Sequence, residues 1–266
     1  MRLCAPLLTA LAFALLAAAP AAADTQYLEG SGSVQGVHFA SFVIAADGQP
    51  PRGWLSFGNG AHAVVTCTAI TADAAVLGDR IDAGQDAGAG LLTSVQYTAP
   101  GEGGGYIVYS GFTPRPVATC PTPGAPPPPG FSPAASGPVE GGALHKSDSP
   151  PPGPTDIVDV LPEAGATVPH RPFVAFADLN GDGAASLTLA LVRQHDSRPV
   201  RTIPVRPDPS ALDARAEVPA LPGGRYLAVW TLSRTDGTTS TRTSPLTVRA
   251  PRKARRHHRR SRHRRG

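Results

Sequence analysis

Cysteine, methionine and aromatic side chains are scarce in this chain of 266 residues, which holds three Cys, one Met and 6% Phe, Trp and Tyr. Glycine and proline are plentiful at 29 and 30, a balance that argues against long helices and for short strands joined by turns. After residue 23 no apolar run reaches the roughly 20 residues that a spanning helix needs. Catalytic signatures are missing as well. No Ser stands in a G-x-S-x-G or S-x-x-K setting, and no Gly-rich phosphate loop follows a strand and opens a helix. His38, His62, His145, His170 and His195 are scattered and read as surface or turn histidines. Asp79, Asp82 and Asp86 lie among Gly and Ala and read as an exposed loop rather than an acid/base pair. The chain is therefore expected not to be an enzyme, and to use no nucleotide cofactor.

What is present begins with Arg2, an apolar run from Leu7 to Ala19, Pro20, and Ala21, Ala22 and Ala23 before Asp24. This is the layout of a secretory signal peptide over 1–23, so a secreted, extracytoplasmic product without a transmembrane segment is expected. Cys4 comes too early to be a lipoprotein cysteine. The remaining Cys67 and Cys120 are expected to form a disulfide outside the cytoplasm. Without a neighbouring His pair they lack zinc spacing. The net charge of +4 is local in origin, because nine of the 24 Lys and Arg fall within residues 252–265. Without them and Arg2 the chain carries −6.

Composition divides the chain further. Residues 24–120 read as a first β domain, with strands expected over 38–45, 53–57, 63–70, 74–77, 91–97 and 106–110, each rich in Val, Ile, Phe, Tyr or Thr and bounded by turn residues. Residues 121–155, with four prolines from Pro126 to Pro129 and three from Pro150 to Pro152, read as a Pro-rich linker. A PxxP ligand is the functional alternative there. Residues 156–249 read as a second β domain. Leu187, Leu189 and Leu191 share one face of a strand, and Tyr226 to Leu232 is apolar on both faces. The expected fold class is all-β, two β-sandwich-like domains on a Pro-rich linker, the C-terminal one immunoglobulin-like. Residues 250–266 form a basic tail expected to be disordered.

Two resemblances add to this. Gly30-Ser31-Gly32-Ser33, Gly53-Trp54-Leu55-Ser56-Phe57 and Val64-Val65-Thr66-Cys67-Thr68-Ala69-Ile70 resemble a small β-rich module of exported bacterial proteins, which implies no particular activity. Leu161-Pro162-Glu163-Ala164-Gly165-Ala166-Thr167-Val168 and Leu221 through Trp230, followed by Ser233-Arg234-Thr235-Asp236-Gly237-Thr238, resemble the copper-resistance CopC family. That resemblance implies the family's immunoglobulin-like fold. Of the family's copper ligands only Asp236 is matched, since Thr238 stands in place of a His and the N-terminal His has no counterpart. A lone carboxylate is a poor copper site, so the likeness speaks for the fold and against the metal.

Asp178, Asn180 and Asp182, followed by Gly183, match the start of a calcium loop. The twelfth position holds Leu189 instead of a bidentate Glu, which favours a polar turn. No cofactor is expected, and Asp236 for copper and Asp178, Asn180 and Asp182 for calcium are the weak metal candidates. In the tail, Arg252, Lys253, Arg255, Arg256, Arg259, Arg260, Arg262, Arg264 and Arg265 are expected to meet an anionic cell-envelope polymer or lipid surface rather than nucleic acid. The leading expectation is a secreted, non-enzymatic binding or structural protein associated with the envelope through that tail. A CopC-like copper carrier with a degenerate site is the alternative, and a hydrolase with an unrecognised site ranks last.

Overall fold

A computed structural model describes residues 24–84, 86–97, 105–113, 115–131 and 134–250, without the side chains of 105–109 and 113. The signal-peptide residues 1–23 and all nine basic residues expected to bind a polyanion lie outside the described residues. The described chain is all-β, and among these residues no helix is long and apolar enough to cross a membrane.

The first sheet is built from β1 (Thr25–Val34), β2 (Val37–Ala46), β3 (Arg52–Phe57), β4 (Ala61–Ile70), β5 (Ala74–Ala83), β6 (Gly90–Tyr97), β7 (Gly105–Thr113), β8 (Ala135–Pro138) and β9 (Glu140–Ser147). Strands β1 to β7 pair in sequence order as an antiparallel meander. β8 then adds to β7 while β9 adds to β1. Only Val139 separates β8 from β9. They act as one bent strand that joins the two edges, so the sheet closes into a barrel of eight strand positions. This corrects the reading of 121–155 as a connector. Its residues 135–147 supply backbone hydrogen bonds to two sheet edges, a role that needs few apolar side chains. Leu144 alone of β9 enters the core.

Alternation along each strand sends Leu28, Phe39, Val43, Leu55, Ala63, Val65, Leu77, Ile81, Leu91, Val95 and Leu144 into the barrel. The opposite set faces out. Cys67, Val76 and Leu92 lie on the outside under a strap that brings Val117, Cys120 and Phe131 across them. Cys67 and Cys120 are disulfide-bonded, with Cα atoms 5.5 Å apart. Gly78 makes the strap possible, since a Cβ there would lie 2.4 Å from Cys67 Sγ and 2.8 Å from a Val117 methyl.

The remaining strands form two sheets. β10 (Ile157–Leu161), β12 (Phe173–Leu179), β16 (Asp213–Val218) and β15 (Pro207–Asp208) make one. β11 (Thr167–Val168), β18 (Thr239–Val248), β17 (Gly224–Arg234), β13 (Ala184–Arg193) and β14 (Arg198–Val205) make the other. They share one core. Ala175, Ala177, Leu179, Ala214, Ala216 and Val218 of the first meet Leu187, Leu189, Leu191, Tyr226, Ala228, Trp230 and Leu232 of the second, as in a β-sandwich. The buried Tyr226 hydroxyl donates to the Pro222 carbonyl at 2.8 Å.

Candidate ligand cavity and the interface beside it

The barrel is not filled. A cavity of about 350 Å³ runs inside it, walled by Leu28, Phe39, Leu55, Leu77, Leu91 and Val95, with Ser41, Thr93 and Ser110 as polar residues on its walls. Its lining continues to Val37, Asn59, Ala61, Asp86 and Phe112, which flank the β1–β2, β3–β4 and β5–β6 turns and the end of β7. Val37 and Phe112 are exposed, at 43% and 44%, so apolar surface extends from the interior to the rim. An eight-stranded barrel is wide enough to hold one small ligand, and largely apolar pockets with few polar groups are the usual ligand sites.

Polar groups inside are few, and most of the buried ones are unpaired. Ser41 Oγ, Thr93 Oγ1, Tyr97 Oη and both carboxyl oxygens of Asp79 are buried with no hydrogen-bond partner among the described residues. Asp79 lies in β5 between Leu77 and Ile81, which line the cavity, and pairs with Leu91 across the sheet. It is wholly buried and is not in the exposed loop expected from its neighbours. Period-2 alternation with Leu77 and Ile81 is the sequence signal that places it inside. Burial pushes its carboxyl well above the usual range, and likewise pushes the Tyr97 hydroxyl up.

The outer face of β2, β3 and β4 docks on the sandwich. Ala40, Phe42, Ile44 and Trp54 pack with Leu212, and the Trp54 indole donates to the Leu179 carbonyl at 3.0 Å. Ser56 Oγ donates to Asp159 at 2.5 Å. His62 stands at the centre, wholly buried rather than at the surface as expected. Its Nδ1 lies 2.7 Å from Asp82, its Nε2 3.0 Å from Asp178 and 3.6 Å from Asp213, and its ring stacks on Phe176 at 4.1 Å. Asp178 and Asp213 face each other directly across β12 and β16, a like-charge pairing that disfavours the sheet unless a cation lies between. Burial alone would lower the His62 pKa, but Asp178 and Asp82 outweigh it and raise it to about 10. Burial likewise raises Asp178, and raises Asp213 to about 7, with the imidazolium opposing both shifts.

His62, Asp82 and Asp213 could bring metal-ligating atoms within 4.8 Å of one another. Both imidazole nitrogens already face carboxylates, however, which is the arrangement of a doubly donating imidazolium. A metal ligand needs a free nitrogen lone pair. The cluster is a clasp between barrel and sandwich.

The expected metal residues do not converge. Asp178 belongs to the His62 clasp. Asn180 Oδ1 accepts from the Asp156 amide at 2.6 Å, and Asp182 pairs with Arg52 at 3.2 Å. Asp236 is exposed, and hydrogen bonds from the Thr238 hydroxyl and amide lower its pKa.

No protein-family model matches the chain, and no curated protein sequence does either. Among solved structures, CopC from Methylosinus trichosporium OB3b is similar to 38% of this chain over 97% of its own length, at 18% identity and a TM-score of 0.32. An engineered protein is similar over the same share, at 21% identity and a TM-score of 0.32, the match spanning 21% of that chain. The extracellular domain of a hybrid two-component system from B. thetaiotaomicron is similar over 83% of this chain and 31% of its own, at 10% identity and a TM-score of 0.24.

Proposed function

We propose that this is an extracytoplasmic, non-enzymatic binding protein that holds a small apolar molecule inside its barrel. The observation that carries the reading is the cavity of about 350 Å³ with largely apolar walls and with exposed Val37 and Phe112 at its rim. A packed core would normally fill such a space, because each void leaves its lining without dispersion partners. Copper carriage has no comparable support, since Asp236 is exposed and engaged by Thr238.

The test is fluorescence titration with N-phenyl-1-naphthylamine, a neutral dye that brightens in apolar surroundings. Saturable one-site binding is expected, and Ser41→Phe, which puts a ring into the cavity, should weaken it by about tenfold or more without lowering the thermal midpoint. Absence of saturable binding by the wild type, or equal binding by Ser41→Phe, refutes the cavity as the site.

A further inference from the structure

Six buried side-chain polar atoms lack a hydrogen-bond partner among the described residues, and five of them are in the barrel. Buried polar groups are ordinarily paired, and an unpaired one calls for a specific cause. Two of these residues, Ser41 and Thr93, stand on the cavity wall, and Asp79 lies between the wall residues Leu77 and Ile81 on the same inner face of β5. Ser41 and Thr93 line the cavity from β2 and β6, which stand four positions apart in the ring of eight and so on opposite walls. Asp79 is diagonal to Thr93 on the inner face of the β5–β6 pair, since Asp79 faces Leu91 while Leu77 faces Thr93.

We propose, resting on the cavity reading above, that the natural ligand is an amphiphile with an apolar body and a primary amine head, and that Asp79 selects the amine. Among the described residues the barrel offers Asp79 no cation of its own. No Lys, Arg or His lines the cavity among the described residues, and the adjacent Arg80 is exposed on the other face, where it acts on Asp208. A carboxylate accepts hydrogen bonds at both oxygens, and an ammonium supplies three donors and the missing charge. The Thr93 hydroxyl, diagonal to Asp79, can accept a second N–H, which a buried ion pair needs to offset desolvation. Burial disfavours the charged form of Asp79 in the empty barrel. An arriving alkylammonium leaves it ionised, and its proton goes to solvent.

Competition between octylamine and octan-1-ol for the N-phenyl-1-naphthylamine site tests this at pH 7. The wild type should prefer the amine by about tenfold or more, and calorimetry in buffers of different ionisation enthalpy should show about one proton released per amine bound. Asp79→Asn should collapse the preference towards unity and abolish the proton release. If Asp79→Asn does not fold, Asp79→Leu serves, because replacing an unpaired buried carboxyl by an apolar side chain should raise the thermal midpoint while removing amine selectivity. Dye binding without amine preference, or a preference that survives in both variants, overturns the role of Asp79 and leaves the cavity reading intact. Failure of the dye to bind the wild type removes the cavity reading itself, and this inference with it.

Discussion

Replacing His62 by Ala is expected to destabilise the protein by about 3–5 kcal/mol, the cost of removing one partner from a buried ionic cluster. The ring is wholly buried and reaches Asp82, Asp178 and Asp213 at 2.7, 3.0 and 3.6 Å. Without it, Asp178 and Asp213 oppose each other across two paired strands with no counter-charge, and Phe176 loses its stacked neighbour. The wild-type cluster also fixes a pH dependence. The folded pKa of His62, about 10, lies above its ordinary 6.5. Its contribution is therefore complete below about pH 6.5 and is lost as the pH climbs towards 10. Asp213, raised to about 7, acts in the same sense at lower pH. Its contribution is complete below the ordinary carboxyl range and fades as the pH rises through 7. Urea midpoints should fall steadily for the wild type from pH 6 to pH 10. A loss under about 1 kcal/mol at pH 7 would match a surface pair and contradict the clasp.

Reduction of Cys67–Cys120 should cost about 4 kcal/mol, because the bond closes a loop with a sequence separation of 53 and loop-closure entropy scales with the logarithm of that length. The strap has other attachments. Thr66 Oγ1 donates to the Val117 carbonyl at 2.6 Å, and Val117 and Phe131 cover Val76 and Leu92. Part of the strap's contact is therefore expected to survive reduction, and the barrel to remain folded at 25 °C. Denaturation with and without reductant gives the cost directly. Thiol labelling of the unreduced, denatured protein should find neither cysteine reactive. Two reactive thiols, or coincident curves, would show that the bond is not part of the native protein.

Strand content was legible because β-branched and aromatic runs between turn residues are a local property. The expected 38–45, 63–70 and 91–97 sit inside β2, β4 and β6. Barrel closure was not legible. It runs along a seam where Gly30 and Gly142 bring β1 against β9 so closely that a Cβ on either would strike the opposite backbone, at 2.1 and 1.9 Å. Glycine at such a seam reads as turn or linker, since its lack of a side chain erases the period-2 signal. The sites were hidden for a related reason. Leu77, Asp79 and Ile81 alternate correctly, but a carboxylate in the middle of a strand reads as solvent-facing. His62, Asp178 and Asp213 come from parts of the chain that only the docked structure brings together.

The glycine seam also orders events during folding. Gly30 cannot meet Leu144 until the chain is complete to that point, so the meander from β1 to β7 exists first as an open sheet with two free edges. Contacts this distant in sequence close slowly, and unpaired edges recruit other chains in the meantime. Phe42, Trp54 and His62 stay uncovered longer still, because their partners Phe176, Asp178 and Leu212 come later in the chain. A chain halted just before residue 135 would therefore present two open edges and an unprotected apolar face at once, making that point the most aggregation-prone in its synthesis.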